Sequence, residues 1–590
     1  MSEARGLDLL ILGLTLAALA LLGAVNSYMQ FIFGLVAIWT ILCTGLNVLF
    51  GLTGLVSLGQ IGFFAIGAYA HAILLQAGVN FWLSLPAATA ISAAVGCVLA
   101  VPAVRMGGPF LAMVTIAFAF IVEHLAIEWR DLTGGQNGLF GFDAPVILGY
   151  AFSETDLVRL AMVLAALGLL AYRRLSVSGW GFAMSAFRDQ EMSAGSLGYD
   201  PFVTRLAAFA IAAGAAGLAG GLFASLMQFI APSNFVLSQS ILFLFAVILG
   251  GAGTVLGPLV GAGVAVLLPE FLSGLAEYRL LFFGALLIAV LLVAPRGIVG
   301  TVAAFLPRRA QRVEPASAED SMAFVTPETP QGLEVNGLGI AFGGVRAVNG
   351  ASFTAVPGEV TAVIGPNGAG KTTLLNMISG FYRPGAGRIE TLGTDIAGWS
   401  MHATARHGIA RTYQATRLFG TLSAEENVLA GFPRGRFGGV FTALGTPKRR
   451  AMARGLLHRK AGTRAADLPH VDRRLVEIAR ALAMRPGVLL LDEPAAGLMQ
   501  GDKRALSDLL CRLADTGIAV VLVEHDMELV MGISDRILAL DAGEPIAFGP
   551  PAAIRSDARV IAAYLGEGTL SVAARALDHE PGAMDRLIAR

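Results

Sequence analysis

The chain has 590 residues with 42 basic and 42 acidic side chains, and a net charge of zero excludes the strongly basic balance of a nucleic-acid binder. Hydrophobic residues make up 55% and charged ones 14%, which is too apolar for an ordinary soluble protein, and the length is too great for a single core. Cys43, Cys97 and Cys511 stand far apart in no metal-ligand or redox spacing, which excludes a disulfide framework and predicts buried structural thiols.

The apolar excess lies in the first half, where Met1 to Phe305 hold 10 arginines, 13 acidic residues and no lysine. An apolar stretch begins at Leu7. Ala18 and Ala20 could pass for the end of a secretory signal, but further apolar segments follow at once, so the stretch reads as an uncleaved first span. A helix needs about 20 apolar residues to cross the hydrocarbon core. The windows 7–27, 30–50, 54–76, 84–104, 109–129, 156–174 and 203–226 each predict one span, and 279–295 predicts the last. Between Ser238 and Pro269 the apolar run is too long for one straight helix. Gly250, Gly251, Gly253, Gly257 and Pro258 interrupt it, which predicts two short or broken helices.

Arginine placement sets the orientation, because cytoplasmic loops hold the positive excess. Arg173, Arg174, Arg188 and Arg205 mark one loop as inside, and Arg296, Arg308, Arg309 and Arg312 mark the exit of the last span as inside. An even number of crossings between them favours about ten spans with both ends cytoplasmic. The loop from Asp131 to Glu154, with Asp143 and no basic residue, then falls outside. Gly217 with Gly221 and Gly257 with Gly261 have the spacing of close helix packing. Glu123 and His124, near the outer end of the fifth span, have two readings: a substrate pathway or a satisfied contact between helices.

Pro307 to Gln331 turns to Pro, Arg, Glu, Ser and Ala without periodicity, as a linker does. From Leu333, strands rich in Val, Ile and Leu alternate with helical stretches in an α/β pattern. Val360–Ile364 reads as a strand, GPNGAGKTT at 365–373 as a phosphate-cradling loop, and the following residues as a helix. Gly365, Gly368 and Gly370 let backbone N–H groups converge on phosphate, Lys371 would reach the β- and γ-phosphates, and Thr372 would ligate Mg²⁺. Val488–Leu491 is an apolar strand ending in Asp492 and Glu493, placing one carboxylate for Mg²⁺ and the next beside an attacking water. A second strand, Ile518–Val523, ends in Glu524 and His525.

These parts in this order resemble the ATP-binding cassette (ABC) ATPases over nearly all of 333–566. The resemblance makes 365–373 the Walker A loop, so that Pro366, Asn367, Ala369 and Thr373 join the ATP-binding residues, and it gives Phe342 the adenine-stacking role. Gln414, in RTYQ, matches the glutamine that touches Mg²⁺. Asp492 and Glu493 match the Walker B aspartate and catalytic glutamate, AAGL at 495–498 the dimer-contact loop, and His525 the switch histidine. One part departs. The signature, normally LSGGQ, reads LPHVD at 468–472, with Pro469 in place of the serine and Val471 in place of a glycine. Proline also removes an N–H donor.

The first half resembles the permease subunit of branched-chain amino-acid ABC importers over nearly all of 30–300. The residues that carry it are GLTGLVSLGQIGFFAIGAYA at 51–70, LTGGQNGL at 132–139, the loop Arg188 to Asp200, and GGAGTVLGP at 250–258. Glu191, Ala194 and Gly198 have the spacing of the importer coupling motif, and VIAAYLGEG at 560–568 resembles the end of the same importers' ATP-binding subunit. The implied architecture is multidomain: a polytopic α-helical transmembrane domain at 1–306, a linker at 307–332, an α/β P-loop ABC domain at 333–568 and a tail at 569–590. The implied assembly is multi-pass in a bacterial inner membrane, in contact with membrane lipid and with the ATPase in the cytoplasm. It needs a second permease subunit, a second ATPase subunit with an intact signature, and an external solute-binding protein delivering a small amino acid or amide; nucleic acid has no part. An exporter and a membrane-tethered, non-transporting ATP-binding regulator are the competing readings. Against the first stand the coupling loop and broken helices, and the second has only the degenerate signature in its favour.

Overall fold

The computed structural model describes the chain from Ser2 to Leu565, apart from 106–107, 143–144, 148–149, 272–283, 286–287, 291, 306–314, 318–319, 321–323, 328, 440–443 and 458–459. The chain divides into two compact units. One comprises Met1–Arg188, Pro201–Arg309 and Gly439–Ala443, the other Asp189–Asp200, Ala310–Gly438 and Leu444–Arg590.

The first unit is helical. Its elements are α1 (Ser2–Leu21), α2 (Ser27–Asn47), α3 (Gln60–Gln76), α4 (Phe81–Arg105), α5 (Pro109–Glu128), α6 (Glu154–Ser176) and α7 (Gly179–Asp189). After α8 (Glu191–Ser196), which belongs to the second unit, come α9 (Pro201–Met227), α10 (Leu237–Gly250), α11 (Gly257–Phe271) and α12 (Gly297–Phe305). Among the described residues seven helices are long and apolar enough to cross a membrane, and Gln60–Gln76 and Gly257–Phe271 are shorter apolar helices. These match nine of the expected spans. The window 279–295 lies partly outside the described residues, and Arg308, Arg309 and Arg312 and the tail 569–590 lie outside them, so the count of ten rests on sequence alone.

The predicted break is present. α10 stops at Gly250 and α11 starts at Gly257, with Gly251 at φ 117° and Gly253 at φ 79° between them, a backbone that side chains disfavour. The small-residue pairs let helices touch: a Cβ on Gly67 would lie 2.2 Å from the Gly217 carbonyl oxygen, and one on Gly261 would lie 1.9 Å from that of Ala246. On α5, Glu123 is half-buried and His124 exposed, and His124 Nδ1 lies 2.9 Å from the Phe120 carbonyl, a contact within its own helix. Cys43 is buried as expected, but Cys97 and Cys511 are only half-buried.

The second unit begins its regular core with β1 (Leu333–Phe342), β2 (Val345–Ala355) and β3 (Val360–Ile364), then α13 (Lys371–Ile378), β4 (Ala386–Thr391) and β5 (Ile409–Arg411). It continues with α14 (His470–Leu482), β6 (Val488–Asp492), α15 (Gln500–Asp515), β7 (Ala519–Val523), β8 (Arg536–Asp541), β9 (Glu544–Gly549) and α16 (Ala558–Leu565). Six strands form a sheet in the order β5-β6-β7-β3-β8-β9, parallel except for the last pair. β3, β6 and β7 are buried at every residue, as strands covered on both faces must be, and the burial of each Val or Leu contributes roughly 1.5–3 kcal/mol. β1, β2 and β4 belong to a separate antiparallel sheet. The end of the expected linker is folded: Val325 is buried, Phe324 packs its ring 5.1 Å from that of Phe432, and Arg485 donates to the Thr326 carbonyl. Apolar Phe324 and Val325, within a polar stretch, anchor it.

Candidate functional site

β6, β7 and β3 are neighbours, so their carboxyl ends bring three loops to one edge of the sheet, the usual ligand position in an open parallel sheet. The loop after β3 needs glycine. Gly365, Gly368 and Gly370 have φ of 150°, 87° and 94°, and a Cβ would lie 2.2 Å from the Leu540 carbonyl at Gly365 and 2.3 Å from that of Ala347 at Gly370. α13 starts at Lys371, directing its N-terminus and unpaired N–H groups at the loop. Asn367 and Gly368 are exposed, Ala369 is buried, and Pro366 and Thr373 are half-buried. Lys371 Nζ donates to the carbonyls of Gly365 at 2.7 Å and Pro366 at 3.0 Å, which holds the ammonium over the loop. Burial pushes this amine below its ordinary value, against the pull of Glu493 and Asp492.

The carboxylates from β6 face the start of α13. Thr372 Oγ1 donates to Asp492 Oδ1 at 3.3 Å, and Arg411 donates to Asp492 Oδ2 at 3.2 Å. Burial raises the Asp492 carboxyl above its ordinary value, and the Arg411 guanidinium opposes the rise. Glu493 has φ 47°, rare for a residue with a side chain, and its N–H donates to the Val523 carbonyl at 2.8 Å. Gln414 Nε2 donates to Glu493 Oε2 at 2.9 Å, while His525 Nδ1 lies 3.9 Å from the same oxygen. Glu524 is buried under this pair and accepts from the N–H groups of Ala495 at 2.6 Å and His525 at 3.1 Å.

Lys371, Thr372, Gln414, Asp492, Glu493 and His525 therefore converge. Phe342 ends β1 and is 44% exposed, its ring packed 5.0 Å from the Tyr382 ring and outside the hydrogen-bonded cluster. Three participants escaped the sequence reading. Arg411 is buried, bonded to Asn376 and Ser379 as well as Asp492, and its place in RTYQ was the only signal. Asn376 is a polar residue on the helix after the loop. Tyr564, on α16, accepts from the Gly365 N–H at 2.8 Å, a contact across 199 residues that no local pattern reveals.

At the degenerate signature, α14 starts at His470 with Pro469 as its N-cap and no side-chain cap bond, so no hydroxyl stands at this helix end. α14 itself is firmly anchored. Arg474 donates to the Tyr413 carbonyl at 2.9 Å, Glu477 accepts from the Arg417 N–H at 3.1 Å, and the Arg480 guanidinium lies 4.9 Å from the Phe419 ring centre. Within the same unit, Asp189–Asp200 packs against the residues on either side of Gln414: Ser193 donates to the Arg417 carbonyl at 2.7 Å and Tyr413 to the Met192 carbonyl at 3.3 Å. Arg406 donates to the Gly198 carbonyl at 2.8 Å.

Residues 28–291 match the family model of the branched-chain amino acid transport system permease component, 348–496 that of the ABC transporter, and 544–569 that of the branched-chain amino acid ATP-binding cassette transporter. The high-affinity branched-chain amino acid transport ATP-binding protein LivG of Escherichia coli is 41% identical over 40% of this chain and 98% of its own length. The permease protein LivM of the same organism is 35% identical over 45% of this chain and 68% of its own. The chain belongs to the branched-chain amino-acid ABC transporter family.

As a member of that family it carries a permease and a transporter ATPase in one polypeptide, and its ATPase domain binds ATP. The ATP-binding protein BraF of Pseudomonas aeruginosa is 42% identical over 40% of this chain and 98% of its own length. The helices of the first unit are those of a membrane protein.

Proposed function

We propose that this chain imports branched-chain or related small amino acids or amides across the bacterial cytoplasmic membrane, driven by ATP hydrolysis at Lys371 and Glu493. One observation carries the reading: the two halves of the chain are similar to the two kinds of subunit, LivM and LivG, of one class of transport system. The transmembrane domain at 1–306, linker at 307–332, ABC domain at 333–568 and tail at 569–590 remain our division of the chain.

The residues present fit ATP with Mg²⁺. Thr372 Oγ1 and Asp492 Oδ1 lie 3.3 Å apart as hard oxygen donors, and Gln414 stands beside them through Glu493. Gly365 to Thr373 would hold the phosphates, Phe342 the adenine, and Thr372, Asp492 and Gln414 the Mg²⁺, whose charge offsets that of the phosphates. Glu493 would orient and deprotonate the attacking water, and His525 would contact the terminal phosphate.

The chain supplies one permease and one ATPase, so a complete transporter would take another of each, together with an external solute-binding protein. Pro469 and Val471 deprive this chain's signature of a hydroxyl and of a close backbone approach. We therefore favour a heteromeric partner whose intact signature completes the site at Lys371, leaving the reciprocal site weak. The test is solute accumulation by membrane vesicles holding the assembled complex and binding protein. Lys371→Ala should abolish it, and undiminished accumulation against a gradient would refute the reading.

A further inference from the structure

α3 spans 17 residues, about 26 Å at 1.5 Å per residue, against a hydrocarbon core of about 30 Å. The residues before it, 54–59, are neither helix nor strand. Backbone of this kind at membrane depth is tolerated where protein or a cavity covers it. The depth follows from one bond: the Ile61 N–H donates to Ser240 Oγ at 3.0 Å. Ser240 lies on α10 ten residues before Gly250 (250 − 240), about 15 Å along the helix. Gly250 closes α10 beside Gly253, whose N–H donates to Asn47 Oδ1, and Arg188, of the loop that arginines mark as inside, donates to the Gly51 carbonyl close by. The N-terminus of α3 therefore lies about 15 Å along α10 from the end that the arginine-marked loop flanks.

Gln60 is its first residue. The side chain is fully buried, and neither its amide oxygen nor its amide nitrogen has a hydrogen-bond partner among the described residues. A structural polar group buried on the same helix is paired: His71, equally buried, has its two ring nitrogens 2.9 Å from Ser225 Oγ and 3.0 Å from Ser84 Oγ. Ser240 already accepts from Ile61, so its hydroxyl proton is available to donate. The Gln60 amide N–H₂ and the Ser240 hydroxyl are two donors suited to one anion, which the positive end of the helix dipole also favours.

We propose that the N-terminus of α3, with Gln60 and Ser240, is an intramembrane site for the carboxylate of the transported solute, an inference that rests on the import reading above. The Gln60 amide oxygen remains to accept from the solute's ammonium group, so the ligand class is a zwitterionic amino acid. The amide is enclosed in this conformation, and the solute reaches it as the surrounding helices part during transport.

The test is equilibrium binding of radiolabelled leucine and of leucinamide to the purified full complex without its binding protein, on wild type and Gln60→Met, with melting temperatures recorded. Leucine should bind and leucinamide should not. Gln60→Met should weaken leucine binding at least about tenfold, the scale of one hydrogen bond to a charged group, at an equal or higher melting temperature because an unpaired buried amide is gone. Absence of leucine binding to wild type, equal binding of leucinamide, undiminished binding to Gln60→Met, or binding lost together with a lower melting temperature would each overturn the site. Uptake by the wild-type complex with its binding protein judges the import reading separately: uptake without binding at Gln60 sinks only the site.

Discussion

The Gln414 amide donates to the Glu493 carboxylate at 2.9 Å, and Tyr413 and Arg417, on either side of Gln414, hold Asp189–Asp200. Gln414 therefore stands between Glu493 and the segment between α7 and α9.

Glu493→Gln keeps the volume of the side chain and its bond to Gln414 but removes a base. ATP hydrolysis by the assembled complex should fall by at least about 10², the usual worth of general-base catalysis, while ATP binding persists. If turnover survives and only the partner ATPase's equivalent glutamate matters, the two sites have been assigned the wrong way round.

Replacing Pro469 by Ser and Val471 by Gly supplies a hydroxyl and a glycine at the start of α14, an end that now has no side-chain cap. The complex should hydrolyse ATP faster as its second site gains function. Unchanged turnover would show that the reciprocal site is silent for some other reason.

Arg411 and Asp492 form a buried ion pair at 3.2 Å. Arg411→Met strands the carboxylate and should destabilise the ATPase unit by about 3–5 kcal/mol, read as a lower melting temperature. Adding Asp492→Asn should recover a large part of that loss, whereas simple additivity of the two changes would deny the coupling.

Glu524 has its pKa raised above the ordinary 4.5 by burial, which the N–H groups of Ala495 and His525 resist. The folded state thus holds this proton more tightly than the unfolded state. Its contribution to stability is full below 4.5 and is lost as pH rises through the raised value. Thermal unfolding followed from about pH 4 to 8 should show Glu524→Gln with a flatter decline than wild type. Parallel curves would exclude this carboxyl as a source of the slope.

Gly198 has φ 88°, and a Cβ there would lie 3.0 Å from the carbonyl carbon and oxygen of Arg434. Gly198→Val should strain the segment by about 1–3 kcal/mol and lower the solute moved per ATP hydrolysed. An unchanged transport stoichiometry would mean that this segment does not transmit the cycle.

Much of the molecule was legible from local pattern. Apolar windows of about 20 residues located seven helices because hydrocarbon thickness sets their length. The glycines at 250–257 foretold the break between α10 and α11, and the phosphate loop was written in consecutive residues because a tight turn needs glycine at fixed positions. The packing of Phe324 on Phe432, inside the stretch read as linker, was not legible, since the two meet only through folding.

Residue order alone determined which chemistry this protein carries: apolar stretches to cross a bilayer, a glycine loop with Lys371, and acids at strand ends. Local backbone geometry and side-chain polarity dictate those features within a few residues. Only the tertiary structure decided which distant groups meet, because such contacts depend on the stacking of strands and the crossing of helices. It paired Arg411 with Asp492, brought Tyr564 to Gly365, and left Gln60 buried with no partner among the described residues beside Ser240's helix.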